Sequence, residues 1–233
     1  FICICKSFKY TVIITMNCQL NYDFMSFKKE AINISNKEIF LTNLLEETII
    51  SCKSFSECIS RLLSISFSGM IPATTWLAIL LPVFNGDFGK YEDEEISHLL
   101  IKDLKVVKER DPACENLVHV FINFKGFKAL QSHRAAHILW SNNRKDIALT
   151  IQARCSELWS VDIHPAARLG EGLLIDHGTG VVIGETALVG KNCSFLHGVT
   201  LGSTGKESGD RHPKIGDNVL IGCNSIVLGN IVI

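Results

Sequence analysis

Residues 172–202 read GLLIDHGTGVVIGETALVGKNCSFLHGVTLG, a stretch in which aliphatic residues recur about every six positions and a small residue usually follows each one. The beat extends in both directions. Anchors fall at Ile163, Leu169 and Ile175, then Ile183, Val189, Phe195 and Leu201, then Ile215, Ile221, Val227 and Ile233. Gly170, Gly184, Gly190, Gly202, Gly216 and Gly222 directly follow anchors, while Ala167, Ala187, Cys193, Val199 and Ser225 stand two residues before theirs. Neither the 3.6-residue helical period nor the alternation of a strand gives this spacing. One inward aliphatic per six residues matches the hexapeptide repeat of a parallel β-helix, where three hexapeptides close one triangular coil and coils stack at roughly 4.8 Å. An ordinary parallel sheet needs crossover helices, and the anchors leave no room for them.

The breaks in the beat carry the chemistry. Ile175 to Ile183 is two residues too long, and Leu201 to Ile215 is eight too long. The second excess, GSTGKESGDRHPK, is charged and glycine-rich and must loop away from the prism. Counting three anchors per coil, His177, His197 and Cys223 each stand two residues past an anchor and form a column on one face. Asp176 and His177 are adjacent in the first break. Imidazole titrates near neutral pH, so His177 is a candidate general base; the plainer alternative is a corner histidine bonded to backbone. The column is a poor metal site. Its outer members lie roughly 10 Å apart at the backbone, whereas zinc bonds are about 2.0–2.3 Å long. Arg211 and His212, in the long loop, are natural partners for a carboxylate.

Upstream, residues 28–160 read as helical. Ser35/Glu38 and Ser54/Glu57 have capping-box spacing, and each opens an apolar-periodic stretch. The first helix is expected to turn Phe40, Leu44, Leu45 and Ile49 inward, and the second Ile59, Leu62 and Leu63. Further helices are expected over about 94–110, ending at Asp111-Pro112, and over 127–140 and 146–158. The fold class is therefore α+β: an uncertain N-terminal extension over 1–27, an α-helical domain over 28–160, and a β-helix over 161–233.

Composition sets outer limits. With 23 basic and 24 acidic residues, a net charge of −1 and no basic run, nucleic acid is not an expected partner. Nine cysteines are scattered without CxxC pairs, which suits reduced thiols inside a cell and a cytoplasmic location. The apolar run 76–84 is too short to span a membrane, and the N-terminal segment is a poor signal peptide, so no membrane partner is expected. The chain begins with Phe1, which suggests a fragment or an imperfect gene model.

The segments VDIHPAARLGEGLLIDHGTGVVIGETALVG (161–190), HGVTLGSTGKESGDRHPKIGD (197–217) and the helical VKERDPAC…NFKGFKALQSHRAAHILW (107–140), in this arrangement, resemble plant-like serine O-acetyltransferases of the hexapeptide-repeat acyltransferase superfamily. The likeness covers roughly 28–233. It implies a left-handed coil and acetyl transfer from acetyl-CoA, a co-substrate and not a resident cofactor, to the hydroxyl of L-serine in cysteine biosynthesis. On the matched positions it implies His177 as general base, with Asp162 orienting its imidazole. Asp111 and Asp176 would hold the serine ammonium, Arg211 and His212 its carboxylate. Gly202, Ser203, Thr204 and Cys223 would line the acetyl-CoA groove, and no metal takes part.

The same resemblance implies trimers through the β-helices, hexamers through the helical domains, and a site between neighbouring β-helices. It also implies feedback inhibition by L-cysteine and O-acetylserine sulfhydrylase as partner, gripping a C-terminal tail that lies past Ile233, along with further coils. Two positions depart from the pattern. Ser203 stands where a second glycine is usual, and Cys223 where Gly or Ala is usual. A catalytically impaired structural or regulatory homologue of the same fold is the alternative reading.

Overall fold

The six-residue beat becomes three short strands per coil in the computed structural model, which describes residues 3–89, 93–206 and 208–233. Residues 1 and 2 of the expected N-terminal extension and Glu207 of the long loop lie outside the described residues. Strands β1 (Val161–Ile163), β4 (Val181–Ile183), β7 (Thr200–Gly202) and β10 (Ile226–Leu228) pair in that order as the first face. The second face is β2 (Arg168–Leu169), β5 (Leu188–Val189) and β8 (Lys214–Ile215). The third is β3 (Leu174–Ile175), β6 (Ser194–Phe195) and β9 (Leu220–Ile221).

All pairings are parallel and keep the anchors in three columns: Ile163, Ile183, Leu201 and Val227; Leu169, Val189 and Ile215; Ile175, Phe195 and Ile221. Most of these side chains are buried along the prism axis, with Leu169 and Val227 packed at its margin. Ile233 is exposed. Corners need backbone that L-residues seldom adopt. At the corner after the third face Gly180, Gly198 and Asn224 stack with φ of +78°, +71° and +57°, values that glycine and asparagine tolerate best.

The helical part comprises α1 (Cys3–Lys37), α2 (Thr42–Leu45), α3 (Phe55–Phe67), α4 (Ala73–Phe84), α5 (Asp93–Arg110), α6 (Leu117–Asn123), α7 (Lys125–Ser141) and α8 (Lys145–Trp159). Ser54 caps α3 as its spacing predicts: its side chain accepts from the Glu57 amide at 3.1 Å, and Glu57 Oε2 accepts from the Lys53 amide at 2.7 Å. Ile59, Leu62 and Leu63 are buried.

The first capping box is different. No glycine or proline precedes Ser35, so α1 continues through it to Lys37, and Ser35 Oγ bonds Thr42 Oγ1 at 3.1 Å. Glu38 instead caps a single 3₁₀ turn, which swings Phe40 outward to 91% exposure; only Leu45 and Ile49 of the expected inward set are fully buried. α1 also crosses the expected 27/28 boundary. Its Phe24 meets Phe55 edge-to-face at 5.0 Å, and Phe27 lies tilted against Phe55 and edge-to-face with Phe121, both at 5.3 Å, so they belong to the core. Among the described residues no helix is long and apolar enough to cross a membrane.

Helices and prism share one continuous apolar core. α8 ends at Trp159, Ser160 takes a left-handed cap at φ +55°, and β1 starts at once. A buried polar junction fixes the two parts. Asp103 of α5 accepts from Arg134 Nε at 2.7 Å, Gln131 Nε2 at 3.0 Å and the Leu173 amide at 3.0 Å. Arg134 also donates to the Gly170 carbonyl at 2.9 Å.

Candidate active site

Two groups of polar side chains occupy the two corners that bound the first face. The coil from Ile163 to Ile183 takes twenty residues where the next takes eighteen, and the surplus forms a bulge at 176–180. The bulge is tied down at both ends: the Asp176 amide donates to Phe195 O at 2.8 Å and the Gly180 amide to Ser160 O at 2.7 Å. Lys125 Nζ bonds the Thr179 hydroxyl from the start of α7. His177 sits on the bulge with φ +56° and its side chain is 73% exposed. Its Nε2 lies 3.8 Å from Asp176 Oδ1, too far for a direct hydrogen bond but close enough for an attractive field. The His197 ring stands edge-to-face below it at 5.9 Å, and exposed Cys223 completes the column that the spacing predicts.

Asp111 is brought toward the same side of the prism by its neighbour. The Arg110 guanidinium donates to Asn192 O at 3.0 Å and Ser194 Oγ at 2.9 Å, pinning the end of α5 to the third face. Asp111 Oδ1 accepts from the Ala113 amide at 2.8 Å, which shapes the turn before α6.

At the opposite corner, Thr186 organises the returning loop. Its hydroxyl oxygen accepts from the backbone amides of Arg211 and His212 at 3.0 and 3.1 Å, so its own proton is free to go to His212 Nδ1 at 2.8 Å. The Thr186 amide also donates to Nδ1, at 3.1 Å. Nδ1 is therefore an acceptor, and the neutral ring carries its proton on Nε2. Burial, reinforced by the Arg211 charge, holds the His212 imidazole below its ordinary titration range and favours this form. A side chain at 184 would collide with the His212 ring, which accounts for Gly184. Arg211 is aimed by Glu185 at 2.8 Å, and that guanidinium holds the Glu185 carboxyl below its usual range. Lys214 closes the loop on Asp210 Oδ1 at 2.6 Å and on the carbonyls of His212 and Thr186 at 2.7 and 2.9 Å. Gly202, Ser203 and Thr204 lead from β7 into this loop.

Asp162 belongs to the first face. It sits mid-strand on β1, between the two corners, paired in register with Val182. No ion pair joins it to His177 among the described residues; its Oδ1 instead accepts from Gln152 Nε2 of α8 at 2.6 Å. The chain thus gathers Asp176, His177 and Cys223 at one corner and Arg211, His212 and Gly202–Thr204 at the other, with Asp162 on the face between. Sequence reasoning missed Gln152 and Glu185, because each earns its place through a partner ten or 26 positions away. No local pattern marks such pairs.

The stacked hexapeptide coils place the chain in the class of the hexapeptide-repeat acyltransferases. A model of the serine acetyltransferase N-terminal region matches residues 24–132. The chloroplastic serine acetyltransferase 1 of Arabidopsis thaliana is 52% identical over 206 residues, covering 88% of this chain. The chain spans 64% of that relative's length, and 51% and 66% of two others. Soybean serine acetyltransferase complexed with serine superposes with a TM-score of 0.85 at 43% identity, over 91% of this chain and 86% of that one. Serine acetyltransferase from Brucella abortus in complex with coenzyme A gives a TM-score of 0.86 at 40% identity, covering 92% and 84%. The chain belongs to the serine acetyltransferase family, and its prism is the left-handed parallel β-helix of that family.

Proposed function

We propose that the protein transfers the acetyl group of acetyl-CoA to the hydroxyl of L-serine, giving O-acetyl-L-serine. The observation that carries this reading is the exposed His177 on its bulge, beside Asp176 and one face away from the Arg211–His212 pair. An amino acid needs an anchor for each charge, and a nucleophilic hydroxyl needs a base between them. Asp111 and Asp176 supply negative charge for the ammonium. The Arg211 fork and the Nε2–H of His212 suit the carboxylate.

His177 takes the hydroxyl proton as the serine oxygen attacks the thioester carbonyl. The tetrahedral intermediate expels the coenzyme A thiolate, and the imidazolium returns the proton to that sulfur. The nucleophile belongs to the substrate, so no acyl-enzyme forms. Asp162 orients the imidazole and stabilises its charged form.

The two corners of one chain are separated by a whole face, so the site is proposed to form between two copies. The His177 corner of one β-helix would meet the Asp162 face and Arg211 loop of the next, as a trimer of prisms allows; hexamers would join such trimers through the helical domains. Gly202, Ser203, Thr204 and Cys223 divide between the same two corners, which supports an acetyl-CoA groove along that seam. L-cysteine carries both charges of serine and a thiol for its hydroxyl, and so would compete for the same anchors. O-acetylserine sulfhydrylase, the consumer of the product, is the proposed protein partner. The proposed location is the cytoplasm; the Arabidopsis relative is chloroplastic by name, and fractionation with a specific antibody decides between them.

Steady-state release of coenzyme A in the presence of L-serine tests the activity. Turnover with serine and not with sugars supports it. Calorimetric binding of serine or cysteine without turnover would favour an impaired regulatory homologue.

A further inference from the structure

We propose that Gln152 is a positioning residue for the reaction: its side-chain amide holds the Asp162 carboxylate in the orientation in which it serves the His177 imidazole. The inference rests on the reading of Asp162 as partner of the base. Gln152 Nε2 lies 2.6 Å from Asp162 Oδ1, linking α8 of the helical part to the first strand of the prism. An ionised carboxylate only accepts, so the NH₂ end of the amide must face it and the bond has one polarity. Among the described residues Oδ1 has this donor, leaving Oδ2 for a ring N–H.

The geometry is held at both ends. Asp162 is locked by strand register between Val161 and Ile163, both buried. Gln152 follows buried Ile151 and precedes buried Cys155 on a helix packed against α7, so its backbone has little freedom. A neutral amide suits the task better than Lys or Arg would. A cation at that distance would compete with the imidazolium for the carboxylate, whereas an amide fixes its direction and leaves its charge available. On this view the helical part does more than assemble the protein, because it supplies the group that aims the catalytic carboxylate.

The test is a kinetic cycle in the intact protein. Gln152→Leu keeps much of the volume and removes the donor; kcat should fall about tenfold while KM for serine stays within about twofold. Gln152→Glu keeps the length but sets a second carboxylate against Asp162, and it should lose at least as much. A packing role would spare Gln152→Glu. In an Asp162→Asn background, Gln152→Leu should cost less than about twofold, because the group it aims is gone. Wild-type kcat in Gln152→Leu, wild-type behaviour of Gln152→Glu, or an undiminished tenfold loss in the Asp162→Asn background would each overturn the proposal. If Asp162→Asn alone keeps the wild-type rate, the underlying reading of Asp162 falls and takes this one with it. If Asp162→Asn is crippled and Gln152→Leu is not, only the role of Gln152 falls.

Discussion

A β-carbon on Gly126 would lie 1.9 Å from the carbonyl oxygen of Ile175 and 3.1 Å from its Cβ. The second residue of α7 thus rests on the backbone of β3, one step before the bulge that carries His177, and Gly178 approaches the Gly126 Cα in turn. Both sides of the contact are main chain, so neither can yield by changing a rotamer. Gly126→Ala gains about 1 kcal/mol of helix propensity, but overpacking of this kind costs about 1–3 kcal/mol or more, and here the clash should win. The expected outcome is a net loss near 2 kcal/mol in thermal or urea unfolding, with lower kcat because the bulge shifts.

Removing His177 should leave the fold intact and the chemistry disabled. His177→Ala is expected to lower kcat by about 10²–10⁴-fold while serine binding, measured by calorimetry, is largely retained. A near-normal rate would sink the assignment of the base.

The loop corner makes a different prediction. Arg211→Ala should weaken serine and cysteine binding together, by about 10–100-fold, as expected for loss of a charge-assisted bidentate contact. Glu185→Gln should have a smaller effect of the same kind, since Glu185 only aims the guanidinium. Inhibition by cysteine that is unchanged in Arg211→Ala removes Arg211 from the site.

The Asp103–Arg134 pair bears on stability and not on the reaction. Asp103 is fully buried and Arg134 nearly so, and the pair joins α5, α7 and the corner at Gly170–Leu173. Asp103→Ala strands a buried guanidinium and should cost about 3–5 kcal/mol in urea unfolding. The double variant Asp103→Leu/Arg134→Met should cost less than the sum of the two single changes.

His133 gives the fold an acid sensitivity. It is buried. Burial first, then the neighbouring charges of His137 and Arg134, push its imidazole down to about 3. The unfolded chain takes up a proton near the ordinary value of 6.5, and the folded chain does not until about 3. Between those values the unfolded state binds more protons, so stability rises with pH. The His133 contribution is complete above 6.5 and is lost on acidification through that window, at about 1.4 kcal/mol per pH unit. His133→Leu should flatten that slope in unfolding curves taken from pH 6.5 downward.

The prism was legible in the sequence because its rule is local: each coil side offers one inward position, and Ile163, Ile183 and Leu201 fill it whatever the helices do. Loop residues such as Arg211 were legible because they interrupt that rule. α1 was not, since its fate depends on Phe24 and Phe27 finding Phe55 and Phe121 far along the chain. The outward turn of Phe40 was equally hidden: it follows from Glu38 capping a 3₁₀ turn when spacing alone suggested a longer amphipathic helix. For the site, types and positions could be read, but distances could not. Adjacency pointed to Asp176 beside His177, resemblance pointed to Asp162, and only coordinates revealed Gln152.

The bulge at 176–180 and the loop that returns at Arg211 lengthen two coils without moving any anchor out of its column. In a solenoid, surplus chain at a corner is felt only by the layers next to it. Scaffold and chemistry are therefore separable to an unusual degree. Shortening the Thr204–Asp210 excursion should leave the stack of coils standing while changing what the rim can hold, and a different acceptor could in principle be accommodated by rewriting a corner and leaving the axis alone.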